Sequence, residues 1–157
     1  MDNLKLGNQK LKTHYAFECY DRWGNLKWRD GFDNLVVIVG LNDALDKHFK
    51  ASAYTSAWYV GLASGTPTFA LADSMITHPG WAESHDYSEA NRQTLTLGAI
   101  LSGSVDNSAS KAVFSITGTI TVGGAFLTTY QTKNVTSGTL YGGGAFAGGN
   151  RQVFAGD

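Results

Sequence analysis

The sequence has almost no cysteine, little charge and no long apolar run, and each shortage removes a class of protein. A single cysteine, Cys19, stands among 157 residues. No disulfide can close within the chain, so stability has to come from packing or assembly, and this usage fits production in a reducing cytosol. Charged residues make up 16%, against about 25% in an average soluble domain. So sparse a surface belongs with a protein that works against partners. The net charge is −1, and no cluster of Lys and Arg could neutralise a run of phosphates, which argues against nucleic-acid binding. No stretch approaches the roughly 20 apolar residues of a membrane helix, and Met1–Lys12 carries no basic-plus-apolar leader.

What is present can build a core. Apolar residues are 43% and aromatic residues 12%, enough for one domain of useful size but not for two. The expected organisation is an arm over residues 1–12 and a single domain over 13–157. From His14 the chain alternates, with Tyr15, Phe17 and Cys19 against Ala16, Glu18 and Tyr20. Alternation resumes at Leu26 and Trp28 after Asp21-Arg22-Trp23-Gly24-Asn25, and this pattern predicts a β-hairpin. Leu41, Leu45 and Phe49 recur at spacing four beside Ala44 and His48, which predicts one helix over Val39–Lys50 whose apolar stripe covers the core.

Ala57–Leu62 reads as a buried strand, and the irregular stretch from there to Ala90 as a long ordered loop, a feature that in compact domains usually binds or packs against something. Beyond Asn91, the segments Arg92–Leu97, Ser104–Asn107, Ala112–Thr117, Thr119–Thr129 and Gly138–Tyr141 are rich in Thr, Val and Ile. Gly, Ser and Asn separate them, the pattern of a β-sandwich or barrel. The expected fold is all-β: a jelly-roll-like β-sandwich with one short α-helix and an extended N-terminal arm.

Chemistry-bearing residues form no recognised set. Asp73, His78, Glu83, His85 and Asp86 fall in one irregular segment but at no established metal-ligand spacing, so they read as a polar loop. Cys19 sits at an alternating strand position without an activating neighbour and reads as a core thiol. Ser115 and Ser137 lack a nucleophile elbow. Gly142-Gly143-Gly144 lacks the Lys-Ser/Thr of a phosphate loop and reads as a turn or a close backbone approach. Glu18, Asp21, Asp30 and Asp33 flank the hairpin as its exposed face rather than a glycosidase pair. No cofactor and no metal ion are expected.

Several segments do form a recognisable set. They are Trp58-Tyr59-Val60-Gly61-Leu62, Ala72-Asp73-Ser74-Met75 leading to His78-Pro79-Gly80-Trp81, Tyr87-Ser88-Glu89-Ala90-Asn91-Arg92, Gly103-Ser104-Val105-Asp106-Asn107-Ser108 and Gly124-Ala125-Phe126-Leu127. With Asp33-Asn34-Leu35-Val36-Val37 and Gly40-Leu41-Asn42 before them, they resemble a family of small virion proteins of tailed bacteriophages. The resemblance implies a non-enzymatic accessory structural protein. Capsid decoration (cement) is the favoured role, and a tail or fibre-base component is the alternative. Relatives of that kind continue past the final Gly-Asp with one more strand, so either that strand is missing here or a partner supplies its place, and an uncovered sheet edge near Val153-Phe154 would be a natural site for strand addition from a neighbouring copy.

The expected partners are copies of the chain itself, the major capsid protein and neighbouring virion proteins, without nucleic acid or membrane, in a particle assembled in the bacterial cytoplasm. Contacts are expected in the arm (Leu4, Leu6, Leu11), the long loop (Met75, Trp81, Tyr87) and the glycine-rich end (Tyr141, Phe146). Two rival readings are a host-recognition module stacking glycans on Trp81 and Tyr87, and a metal-dependent hydrolase built on His78 and His85.

Overall fold

In the computed structural model, residues 12–54 and 57–157 are described. Among them the fold is mostly β, with antiparallel strands and a single short helix. The first hairpin forms as the alternation predicts. β1 (His14–Tyr20) pairs antiparallel with β2 (Leu26–Asp33), closed by a turn in which the Asp21 carboxylate accepts the amides of Trp23 and Asn25. Gly24 adopts φ +83°, where a side chain would be strained.

The second sheet is larger. β3 (Leu35–Val36), β8 (Leu140–Ala145), β7 (Ile120–Thr128), β4 (Tyr59–Ser64) and β5 (Ala82–Ser84) lie side by side in that order. β6 (Gln93–Thr94) also pairs with β4, and β9 (Arg151–Val153) with β7. Val122 pairs with both Ser64 and Arg151, and Val60 with both Leu127 and Gln93. β9 therefore prolongs the row of β8, and β6 the row of β5. In each row a loop bulges out between the two short strands, and these loops carry Phe146 and Tyr87.

Alternation along β4 and β7 apportions the core to two faces. Val60, Leu62, Ala125 and Leu127 meet the hairpin side, where Cys19 and Phe32 are buried and Tyr15, Phe17 and Trp28 pack in. Ala63 and Phe126 meet the opposite side, with Val37, Met75, Trp81 and Leu140. The glycine run belongs to the middle of β8, not to a turn. A Cβ on Gly143 would enter the Phe69 ring, and one on Gly144 the Phe32 ring, so aromatic residues press on the strand from both faces.

Two expected strands are absent. Ser104–Asn107 contributes one isolated bridge, Leu101 to Ser104, and Ala112–Thr117 one, Tyr87 to Ile116. Phe114 and Ile116 still turn inward alternately. Their neighbour Ser115 gives its amide to the Glu89 carboxylate instead of to a strand, so alternation occurs without a ladder. The expected open edge at Val153 is occupied on one side, because Val153 pairs with Ile120 and is buried.

Candidate functional site

The helix α1 (Ile38–Phe49) lies within one residue of its expected span. Its start is tied by backbone bonds, since the Val37 amide donates to Tyr141 O at 3.1 Å and the Ile38 amide to Leu71 O at 2.9 Å. Lys47 and His48 in the last turn suit the negative end of the helix dipole. Asp46 and Lys50 pair at 3.5 Å along the surface, and Asp43 pairs with Lys47.

The direction this helix faces differs from expectation. Its buried residue is Gly40, seated so tightly on β8 that a Cβ there would meet the Tyr141 carbonyl. Asp43, Ala44 and Lys47 lie on the same side and are part-buried. Ile38, Leu41, Leu45 and Phe49 fall within an arc of about 80° on the opposite side at 100° per residue. They are 46% to 75% exposed. The apolar stripe therefore faces solvent, while the small residues face the sheet. A shallow groove of about 630 Å³ runs along the flank of the helix, lined by polar Asn42, Asp43, Asp46 and Lys50 as well as by Val39, Leu45, Phe49 and Thr139. Exposed Leu71 sits at the helix start and extends the apolar surface.

Four expected contact residues lie in the core instead. Trp81 stacks on Phe69 at 4.9 Å and on His78 at 3.9 Å, and its indole N–H donates to Asp73 at 3.0 Å. Met75 is buried in the same cluster. Tyr87 is buried against Phe114 at 5.0 Å, under the Lys133 ammonium, and burial raises its phenol above the ordinary value. Phe146 packs between Phe17 at 5.0 Å and Trp28 at 5.7 Å. Each ring has more apolar surface to bury inside than a loop could offer outside. Glycan stacking on Trp81 and Tyr87 is thereby corrected, because neither ring is open to a ligand. Tyr141 is half-buried against Trp58 at 5.6 Å. Leu4, Leu6 and Leu11 lie outside the described residues.

The polar candidates disperse into structural pairs. Asp73 also accepts the Ala70 amide, and the His78 ring bonds the Trp81 carbonyl. Glu83 holds Arg92 in a two-pronged pair at 2.8 Å, with the guanidinium buried and donating further to Tyr130 O and Val135 O. His85 and Asp86 are exposed and use backbone carbonyls to bind Lys133 and Thr117. Among the described residues, no three His, Cys, Asp or Glu are placed to hold a metal ion.

The hairpin carboxylates are likewise paired. Glu18 accepts from Lys111, Tyr20 and Arg29, which hold its carboxyl at about 2. Burial pushes Asp30 up, but Arg151 and the Gly148 and Gly31 amides more than offset this and leave it below the usual range. Burial, reinforced by Asp157, raises the Cys19 thiol to about 11, so it is a poor nucleophile.

Comparison with protein-family models, with curated proteins and with solved structures finds no match. Among the described residues no helix is long and apolar enough to cross a membrane.

One feature escaped sequence reasoning. The outward turn of α1 had a signal in Gly40 and Ala44, small residues at spacing four that permit close approach of a helix to a neighbour.

Proposed function

We propose that the chain is a non-enzymatic structural protein of a tailed bacteriophage particle, a capsid decoration (cement) protein that contacts copies of itself and the major capsid protein. The observation that carries this reading is the outward apolar face of α1. Fully burying a Leu, Ile or Phe is worth about 1.5–3 kcal/mol, and the fold leaves four such residues uncovered on one short helix while spending its small residues on the core. A partner surface recovers that energy. The helix is anchored to β8, so it presents the stripe without first having to order, which lowers the cost of association. Symmetry then multiplies a modest contact into a lattice.

The same reading takes the hairpin as the smaller layer of a jelly-roll-like β-sandwich, supported by the aromatic seam of Phe32, Phe17 and Phe146. A tail or fibre-base position would use the same helix face. The test is binding to purified heads that lack the protein. Wild type should bind and raise their resistance to heat, whereas Leu45→Lys should not bind. Heads that ignore the wild-type protein while tails retain it would move the role to the tail, and particles that contain none of it would end the reading.

A further inference from the structure

Between β6 and β7 the chain makes a second, smaller hairpin. Leu101 and Ser104 exchange both backbone bonds at 2.9 Å around Ser102 and Gly103, whose φ of 51° and 74° are the left-handed pair that a tight two-residue turn requires. Nearer the base, the Gly98 amide donates to Asp106 O at 2.8 Å. Residues 97–106 are thus tied at tip and base, and every one of them is exposed. Their side chains are not those of a solvated finger. Leu97, Ile100, Leu101 and Val105 stand uncovered, and from Gln93 to Val105 no side chain ionises.

The molecule therefore carries two uncovered apolar surfaces, this hairpin and the outward stripe of α1. A tied hairpin without charge can be buried with little ordering and no ion to desolvate. The absence of Lys and Arg from it disfavours an anionic lipid surface or a polyanion. Beside the α1 stripe runs the shallow groove, where Asn42 and Thr139 offer polar groups to a backbone edge. Leu97, Ile100, Leu101 and Val105 on one side, and Ile38, Leu41, Leu45, Phe49 and Leu71 on the other, are each 40% to 76% exposed. Together they uncover on the order of 1,000 Å², which a polar rim brings to the roughly 1,200–2,000 Å² of a stable interface. A helix stripe paired with its own copy would leave the hairpin bare, whereas a hairpin laid on the stripe covers both surfaces.

We propose that the hairpin of residues 97–106 docks on the outward face of α1 in a second copy of the chain. The proposal rests on the reading of α1 as a partner surface and names its occupant. Because the two surfaces differ, each copy offers its hairpin to one neighbour and its helix to another, so the assembly closes as a ring or runs on as a filament.

The test is sedimentation velocity on wild type, on Ile100→Lys/Leu101→Lys and on Leu41→Lys/Leu45→Lys, alone and mixed. Wild type should form species larger than a dimer as concentration rises, and each variant alone should associate about tenfold more weakly or less still. Mixed in equal amounts, the two variants should form a dimer and stop there, since one retains the hairpin and the other the helix face. The altered side chains are exposed, so wild-type circular dichroism should persist, and the milder Ile100→Ser/Leu101→Ser should behave as the lysine pair does. If the helix variant is monomeric but the hairpin variant associates like wild type, or the mixture stays monomeric, the hairpin pairing is wrong and α1 keeps its role with another occupant. If the helix variant associates like wild type, or wild type is itself monomeric, both fall. Flotation of that monomer with phosphatidylcholine vesicles, lost in the hairpin variant, would give the hairpin to lipid instead.

Discussion

The helix and the long loop after β4 have exchanged the places their sequences suggest. α1 is the most regular amphipathic segment of the chain, yet its apolar stripe of Ile38, Leu41, Leu45 and Phe49 points to solvent. The stretch from Thr66 to Gly80, together with Trp81, has almost no regular structure, yet it delivers Met75 and Trp81 into the core with Phe69 packed against them. Regularity and burial are separate properties. A period reports that apolar residues share a side, but which side meets the sheet depends on what can approach closely, and here Gly40 wins that contact.

Breaking the buried half of this comparison should have the largest effect. Trp81→Ala removes a ring stacked on Phe69 and His78 and tilted against Phe126, and strips the buried Asp73 of its indole donor. A loss of about 3–5 kcal/mol is expected, measured by urea unfolding. A loss below about 1 kcal/mol would mean that the loop is not a core element. Gly40→Ala comes next. The added methyl would meet the Tyr141 carbonyl, so the helix must lift from β8 at a cost of about 1–3 kcal/mol. Amide exchange should rise across α1 more than across β4.

A smaller effect separates the hairpin from both regions. Glu18 ionises at about 2 in the folded chain against an ordinary 4.5. Its folded value is depressed, so its contribution is complete above about pH 4.5 and is lost as the pH falls toward 2. Glu18 is part-buried, but its partners Arg29 and Lys111 reach it from solvent, so the melting temperature should drop only modestly over that window, and Glu18→Gln should flatten that part of the profile. A carboxyl carbon titration by NMR locates the midpoint directly.

Legibility in the sequence followed the nature of each contact. The hairpin, α1, β4 and β7 rest on local alternation or period, and their existence could be read from neighbours in the chain. The segments Arg92–Leu97 and Gly138–Tyr141 overlap β6 and β8, but the sharing of one row by β5 and β6, and of another by β8 and β9, could not be read, because it is set by pairing with β4 and β7 far away in the chain. Glycine is a poor strand former, so from the sequence Gly142–Gly144 reads as a turn or a close backbone approach. Its place in β8 is set by Phe32 and Phe69, more than 70 residues away in the chain for each of them. Irregular segments give no period by which to tell a buried side chain from an exposed one, and Met75, Trp81, Tyr87 and Phe146 have enough apolar area to pull their loops inward.

The smallest expected change in stability accompanies the most informative variant. Leu41→Lys/Leu45→Lys alters two exposed positions of α1 and should leave the unfolding free energy within about 0.5 kcal/mol of wild type for each substitution. Sedimentation velocity over a concentration series, run on wild type and this variant side by side, puts the outward face of the helix to the test. Wild type should associate as concentration rises, and the folded variant should stay monomeric. A wild type that remains monomeric throughout, or a double variant that unfolds, would contradict the account.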